Sequence, residues 1–267
     1  MVKSTSMIQE NCRVLDQTSP APGYYKLTLS SGVIARQSVP GQFVNIKVSE
    51  GIVPLLRRPI SIHHADPEKG TLTLLYETIG TGTDMLSKKP AGAEFNLLGP
   101  LGNGFDREAD ICILVAGGMG IAPLGFLAQT ALKQKKDVYF FIGAKTEKLV
   151  LCEKALSALG AKVTVATEDG SRGEKGLVTA SLEAFLKSFR SSPGGKKPTI
   201  YSCGPRAMLR AVATVAKQNE IDCQVSMEAY MACGIGACKG CPVETGSGYR
   251  TVCKDGPVFD AREIKWE

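Results

Sequence analysis

The hydrophobic rhythm of the chain changes twice. Over the first hundred residues apolar positions recur at every second residue. In Tyr24–Leu29 the side chains of Tyr25, Leu27 and Leu29 share one face. In Phe43–Val48 the apolar face is Val44, Ile46 and Val48, with Asn45 and Lys47 opposite. Arg58–His63 and Thr71–Glu77 are further strands of this kind. A period of two marks a strand with one buried and one solvated face. Pro40-Gly41, Pro67 and Gly70 break the runs, so short alternating strands between turns predict a small antiparallel barrel. The turn Gly80-Thr81-Gly82-Thr83 then opens a short helix over Asp84–Lys88.

Beyond Pro100-Leu101-Gly102-Asn103-Gly104 the pattern becomes one of unbroken apolar runs: Ile111–Ala116, Val138–Ile142, Val163–Thr167 and Thr199–Ser202. Between them lie helical stretches at Pro123–Gln134, Glu153–Leu159, Leu177–Phe189 and Arg206–Gln218, with a surface loop at Ser191–Gly195. Strands alternating with helices predict a parallel, doubly wound sheet. The uncharged run from Ile111 to Leu132 is 22 residues, the length of a membrane span. Gly117, Gly118, Gly120, Pro123 and Gly125 crowd its middle, which reads as a buried strand, a glycine turn and a helix instead. From Cys223 the chain is glycine-rich for its last 45 residues. A segment that short rarely folds alone without metals or disulfides. The predicted architecture is therefore β followed by α/β: a barrel domain over 1–106, a nucleotide-binding domain over 107–221, and a short cysteine segment over 222–267 that packs on the rest.

Composition narrows the function. At 267 residues, 43% hydrophobic and 22% charged, the chain is globular and neither disordered nor fibrous. The net charge of +6 is spread over short runs, Lys88-Lys89, Lys133 to Lys136 and Lys196-Lys197, which read as solvated faces and not as a nucleic-acid footprint. Two adjacent histidines, His63 and His64, leave little material for a histidine-based metal or catalytic site, and read as surface or satisfied side chains. Met1–Asn11 is polar and has no apolar core of a signal peptide, so a cytoplasmic chain is expected, without a disulfide framework. Nine cysteines are then unusual. Cys12, Cys112, Cys152 and Cys223 read as small core residues, and Trp266 as an anchor for the tail.

The remaining cysteines carry the strongest signal. Cys233-x4-Cys238-x2-Cys241-x11-Cys253 has the plant-type [2Fe–2S] spacing in its first three positions. Gly234, Gly236 and Ala237 leave room for a tight loop whose amides face the sulfurs. A zinc site made by the same four thiolates is the rival, although zinc ligands more often come as two CxxC pairs. In Arg57-Arg58-Pro59-Ile60-Ser61 an arginine fork and a hydroxyl suit a pyrophosphate. The later Tyr76 offers an aromatic for a flavin, and the Gly80–Thr83 turn offers helix-opening amides for phosphate. Ala116-Gly117-Gly118-Met119-Gly120-Ile121-Ala122-Pro123 follows a buried strand and opens a helix, as a phosphate-binding loop does, although it lacks the third glycine of GxGxxG. Glu168 and Asp169 end a later strand, where carboxylates bind ribose hydroxyls and favour NAD; Arg172 points the other way. Cys203-Gly204-Pro205 ends the last strand facing the crevice, with an inert buried thiol as the plain alternative for Cys203.

These motifs in this order resemble the ferredoxin–NADP+ reductase superfamily, through Arg58-Pro59-Ile60-Ser61, Gly117 to Pro123 and Cys203-Gly204-Pro205. The tail, Met231 to Pro242 with Val252 to Phe259, is similar to that of electron-transfer subunits of NAD-dependent (class 1B) dihydroorotate dehydrogenases, and the likeness covers almost the whole chain. The Cys241–Cys253 loop differs in length among relatives without disturbing the ligand set. The resemblance implies FAD on the barrel, held by Arg58, Pro59, Ile60 and Ser61 with Leu75, Tyr76, Glu77, Gly82 and Thr83. It implies NAD over Gly117, Gly118 and Gly120, with Glu168 and Gly204 in the same site and Cys203 beside the nicotinamide. It implies a [2Fe–2S] cluster on Cys233, Cys238, Cys241 and Cys253. Electrons would arrive from FMN in a separate catalytic subunit, pass through cluster and FAD, and leave as hydride to NAD+, in pyrimidine biosynthesis. A flavin suits that order because it handles both one- and two-electron steps. The assembly implied is a 2+2 heterotetramer. A TIM-barrel catalytic subunit takes about 250 residues, so this chain is read as a subunit whose partner docks near the tail. A reductase subunit of a ferredoxin–NADP+ transhydrogenase, hydrogenase or sulfite reductase complex shares the plan. A zinc-stapled nucleic-acid-binding module is the reading from another class.

Overall fold

In the computed structural model, which describes residues 7–189 and 196–266, six strands close into a barrel. They are β1 (Ile8–Ala21), β2 (Tyr24–Ser30), β3 (Phe43–Lys47), β4 (Arg58–Asp66), β5 (Thr71–Glu77) and β6 (Glu94–Leu101), in the order β1-β2-β5-β4-β3-β6. Every pairing in it is antiparallel. The alternation read from sequence is what fills it: Leu27, Leu29, Val44, Ile46, Ile62, Leu72, Leu74 and Leu97 are buried. Two short helices accompany the strands, α1 (Gly32–Gln37) and α2 (Thr81–Ser87). The Glu10 carboxylate fixes the start of α1, accepting from Ser31 Oγ at 2.8 Å and the Ile34 amide at 3.2 Å.

The barrel departs from its sequence pattern in three places. β1 escapes the pattern because only Cys12, Val14 and Ala21 along its length are buried. β6 escapes it because Gly99-Pro100, which reads as a chain break, sits inside the strand. Asn45, expected on a solvated face, is 1% exposed. Another part of the chain covers it, and a period-two pattern records only what the strand itself would bury.

The second unit is a seven-stranded sheet. Its elements in chain order are β7 (Ile111–Gly117), α3 (Ile121–Lys133), β8 (Asp137–Ala144), α4 (Glu153–Ala158), β9 (Lys162–Thr167), β10 (Glu174–Lys175), α5 (Val178–Ser188), β11 (Pro198–Cys203), α6 (Arg206–Gln218) and β12 (Asp222–Ser226). The order is β10-β9-β8-β7-β11-β12, all parallel, closed on one edge by an antiparallel strand from the tail. β7 is buried at every position, as a central strand covered by helices on both faces must be. The 22-residue uncharged run resolves into β7, a single 3-10 turn and α3. Among the described residues no helix is long and apolar enough to cross a membrane. The expected loop Ser191–Gly195 lies outside the described residues. The predicted fold class, an antiparallel barrel followed by a doubly wound α/β sheet, is the fold observed.

The tail is shared out between these units. Its regular elements after β12 are β13 (Pro242–Thr245), β14 (Gly248–Thr251) and β15 (Val258–Asp260). Ala229–Val243 and Tyr249–Pro257 belong with the barrel, while Glu244–Gly248 and Val258–Glu267 belong with the sheet. On the barrel, the Asn103 amide donates to Gly256 O at 2.6 Å and Asn103 Nδ2 to Asp255 O at 2.9 Å. On the sheet, β15 is the antiparallel edge strand, with Phe259 opposite Val225. Trp266 closes that end: its Nε1 donates to Ala261 O at 3.0 Å, and the Arg206 guanidinium stands 5.9 Å above its ring.

Candidate functional site

The cysteine loop is built from its backbone outward. All four clustered thiols accept main-chain amides. Ile235 N and Cys238 N reach Cys233 Sγ at 3.5 and 3.4 Å, and Gly240 N reaches Cys238 Sγ at 3.4 Å. Cys253 N reaches Cys241 Sγ at 3.5 Å, and Gly236 N reaches Cys253 Sγ at 3.1 Å. Amides aimed at sulfur favour the thiolate, which is the metal-ligating form. At Cys233 burial works against ionisation, but hydrogen bonds from the amides of Cys238, Ile235 and Ala237 and from the Cys238 thiol together outweigh it and bring the thiol down to about 6. At Cys253 burial dominates, the bond to Cys241 adds to it, and the thiol is pushed up to about 12. Among the described residues no three Cys, His, Asp or Glu side chains converge closely enough to hold a single ion. The fit of this loop to an iron–sulfur group rests on the four thiols and their amide donors. All nine cysteines are unpaired thiols.

Asn45 ties this loop to the barrel. Its Nδ2 donates to Cys233 O at 3.2 Å. Gly234 has φ +70°, and a Cβ there would collide with Asn45 Nδ2, so the approach requires glycine. Asn45 lies opposite Pro59 in the β3–β4 register, and its carbonyl accepts from Arg57 Nη1 at 3.3 Å. The cysteine loop is thus fastened to the strand beside the one carrying Arg58, Pro59, Ile60 and Ser61. Asn45 Oδ1 is buried without a hydrogen-bond partner. Nothing in the sequence singled Asn45 out, because an asparagine between valine and isoleucine looks like the wet face of a strand.

On the same barrel, β4 and α2 bring together residues 24 positions apart. Arg58 lies across Gly82, where a Cβ would collide with the guanidinium, so this arginine needs a bare backbone beneath it. Arg58 Nη1 donates to Leu56 O at 2.5 Å. The Thr83 hydroxyl is occupied within the turn, accepting from Ile79 N at 3.0 Å and donating to Gly80 O at 3.1 Å. Ile60 and Leu75 are buried, and Pro59, Ser61 and Glu77 are half-buried. Tyr76 is 2% exposed; its ring stacks on Tyr25 at 5.7 Å and its hydroxyl donates to Gln17 Oε1 at 3.2 Å. Any contact Tyr76 makes with a flavin therefore falls to its backbone. His63 is buried in β4 beside His64.

In the sheet unit the glycine loop and Cys203-Gly204-Pro205 meet. β7 and β11 are neighbours, with Ala116 opposite Cys203. A Cβ on Gly120 would collide with Cys203 O, and one on Gly117 would lie 2.6 Å from Met208 Sδ and 2.9 Å from Pro205 Cδ. β7 is followed by strands to one side and β11 begins the other, which makes their carboxyl ends the point where open α/β sheets take ligands. Gly118 stays exposed at that point. Cys203 is buried, and burial first, with the Glu228 carboxylate adding to it, holds its proton firmly, so it presents a neutral thiol and no nucleophile. Glu168 is exposed at the end of β9. The Asp169 carboxylate accepts from Ser171 N at 2.9 Å and Ser171 Oγ at 2.6 Å, bonds that hold its pKa low. Cys12, Cys112 and Cys223 are core residues as expected. Cys152 is not: it is half-exposed at the start of α4 with φ +61°.

Comparison with known proteins adds three findings. Residues 228–265 match the family model "Iron-sulfur cluster binding domain of dihydroorotate dehydrogenase B", and residues 114–214 match "Oxidoreductase NAD-binding domain". Over 267 aligned residues the chain is 39% identical to the electron transfer subunit of dihydroorotate dehydrogenase B (NAD(+)) from Bacillus mycoides strain KBAB4, covering 97% of this chain and 99% of that one; the subunit from Bacillus cereus strain Q1 matches equally. Among solved structures, an NADH-dependent reduced ferredoxin–NADP oxidoreductase described for flavin-based electron bifurcation superposes with a TM-score of 0.83 at 26% identity, over 99% of this chain and 92% of that one. A ferredoxin–NADP+ reductase from Neisseria gonorrhoeae with bound FAD and NADP shares the fold, with a TM-score of 0.65 at 16% identity over 79% of this chain and 91% of that one.

Proposed function

The chain belongs to the family of electron-transfer subunits of NAD-dependent dihydroorotate dehydrogenase B, and from that premise we propose which of its residues do the work. It is the oxidoreductase component that carries electrons from a dihydroorotate-oxidising catalytic subunit to NAD+ in pyrimidine biosynthesis, with a [2Fe–2S] cluster, FAD and NAD as its cofactors. The observation that carries this reading is the cysteine loop: four thiols at plant-type spacing, each accepting a backbone amide.

FAD supplies the conversion between one- and two-electron transfer. The chain's own residues bind and orient. Cys233, Cys238, Cys241 and Cys253 hold the cluster. Arg58 takes the flavin pyrophosphate, a role supported by its fork geometry and its seat over Gly82. Pro59, Ile60, Ser61, Leu75, Tyr76, Glu77 and Thr83 complete the flavin site. Gly117, Gly118, Gly120 and Gly204 leave bare backbone for the NAD pyrophosphate, Glu168 takes a ribose, and Cys203 stands by the nicotinamide. In functional terms the division is 1–106 for FAD, 107–221 for NAD and 222–267 for the cluster.

The catalytic subunit contains FMN and assembles with this chain as a 2+2 heterotetramer in the cytoplasm. It docks on the barrel unit, where Ile52, Leu55 and Tyr230 are 82%, 78% and 98% exposed, far more than an isolated subunit gains from showing such side chains to water. The loop holding Ile52 and Leu55 ends at Arg57, which bonds Asn45, which bonds Cys233. A partner seated there would rest beside the cysteine loop.

An absorbance spectrum of the purified chain before and after NADH tests the whole reading. Flavin and iron–sulfur bands are expected, with NADH bleaching the flavin. A colourless protein with stoichiometric zinc overturns it. The likeness to a ferredoxin–NADP oxidoreductase keeps a second reading in view. Co-purification with a dihydroorotate-oxidising FMN subunit supports the first, and co-purification with a large multi-cluster subunit supports the second.

A further inference from the structure

The loops that follow β8 and β9 line an open cavity of about 460 Å³, with Glu147, Cys152, Glu153, Lys154 and Arg172 among the residues in its wall. It opens at the carboxyl edge of the sheet, on the side of β7 away from β11. Neighbouring strands lie about 4.8 Å apart, so β9 is about 10 Å from β7. A dinucleotide with its pyrophosphate on Gly117, Gly118 and Gly120 would extend its adenosine across β8 toward this cavity. The volume is within the range of small-ligand sites.

Two opposite charges dominate the wall. Arg172 Nε donates to Glu153 Oε2 at 3.2 Å and Arg172 Nη2 to Glu153 Oε1 at 2.8 Å. That is the two-point grip an arginine gives a carboxylate or a phosphate, and one guanidinium edge holds one partner at a time. The bond to Glu153, with the pair's charge adding to it, raises the Arg172 pKa. The loop carrying Arg172 is braced: Glu147 N donates to Ser171 Oγ at 2.7 Å, and Thr167 Oγ1 donates to Arg172 O at 2.8 Å. Glu147 and Lys154 stand on the same wall, and the Asp169 carboxylate is turned to Ser171, the residue before Arg172. A 2′-phosphate of NADP would meet the Glu153 and Glu147 carboxylates, with its matching arginine already held. A 2′-hydroxyl meets no such repulsion and can donate to a carboxylate.

We propose that the Glu153–Arg172 pair decides which dinucleotide the chain accepts: Glu153 occupies the arginine that would otherwise hold a 2′-phosphate, and so selects NAD(H) over NADP(H). This rests on the assignment of the sheet as the NAD domain, and it makes Glu153, a helix residue with no motif around it, the specificity determinant.

The test uses the whole chain with its cofactors. Oxidation of NADH and NADPH by an artificial acceptor gives a ratio of kcat/KM, and calorimetry with 5′-AMP and 2′,5′-ADP gives a ratio of affinities without turnover. In Glu153→Gln both ratios should move toward the phosphorylated nucleotide by about tenfold or more, the size of a charge-assisted bond. Adding Arg172→Ala should cancel the shift. If Glu153→Gln leaves both ratios unchanged, or weakens both nucleotides equally, the pair is only a brace and the proposal is wrong. If the unaltered chain neither oxidises NADH nor binds 5′-AMP, the NAD assignment falls and the specificity proposal with it.

Discussion

The cysteine loop draws its four thiols from twenty-one consecutive positions, whereas the nucleotide crevice presses Gly120 against Cys203, eighty-three positions away. The first is held by amide–sulfur bonds between 3.1 and 3.5 Å and by one side-chain bond from Asn45. The second sits on β7, which is buried along its whole length, with Ala116 and Cys203 in register across the sheet. Apolar burial at about 25 cal/mol per Å² organises the crevice before any ligand arrives. The loop has little apolar surface of its own, with Ile235, Ala237, Cys238, Lys239 and Gly240 all exposed. We expect much of its order to depend on the group it binds. On that expectation one site is preformed by the fold and the other is completed by its cofactor.

The sharpest way to break this contrast is Cys238→Ser. We expect the iron–sulfur absorbance to vanish and dihydroorotate-dependent NAD+ reduction in the complex to fall by roughly a hundredfold or more. Hydrogen exchange should quicken in 233–241 and stay slow in β7, β8 and β11. Exchange quickening equally in the sheet would mean that the loop supports the fold it is attached to. Gly120→Ala attacks the other side. The methyl group collides with a main-chain carbonyl and has nowhere to go, so the sheet unit should lose about 1–3 kcal/mol. Calorimetry reads that loss, and the KM for NADH should rise while iron content holds. A third change, Gly234→Ala, probes the fastening between loop and barrel. The methyl group faces a positive φ and the Asn45 amide, costing about 1–2 kcal/mol through strain and the lost bond to Cys233 O. It should shorten the lifetime of the cluster in chelator and leave the thermal midpoint of the sheet unit alone.

Most strands and helices were legible because each buries its own periodic face. β2, β5, β7, β8, α3 and α6 begin and end within two residues of where the pattern puts them. β6 was hidden by an internal Gly99-Pro100, and β1 by a face that is mostly polar. The cysteine spacing was legible for another reason: a cluster needs ligands close in sequence or close in space, and here sequence sufficed. Arg58, Gly82, Gly117 and Gly120 were legible as motifs. Asn45 and Glu153 were not, since each acts on a partner far along the chain. Cys152 looked like a core cysteine and sits half-exposed in a left-handed turn.

By itself the sequence determined that a period-two barrel precedes an alternating β/α sheet, that four thiols stand at a cluster's spacing, and that glycine turns open two of the helices. These are properties of neighbouring residues, which local sterics and burial decide. Only the tertiary structure decided that Asn45 would leave the wet face of its strand to hold the cysteine loop, and that Arg172 would meet Glu153. Those pairings span 188 and 19 positions. They exist because strand order and loop placement bring the partners together, and no periodicity along the chain encodes which distant groups will share a wall.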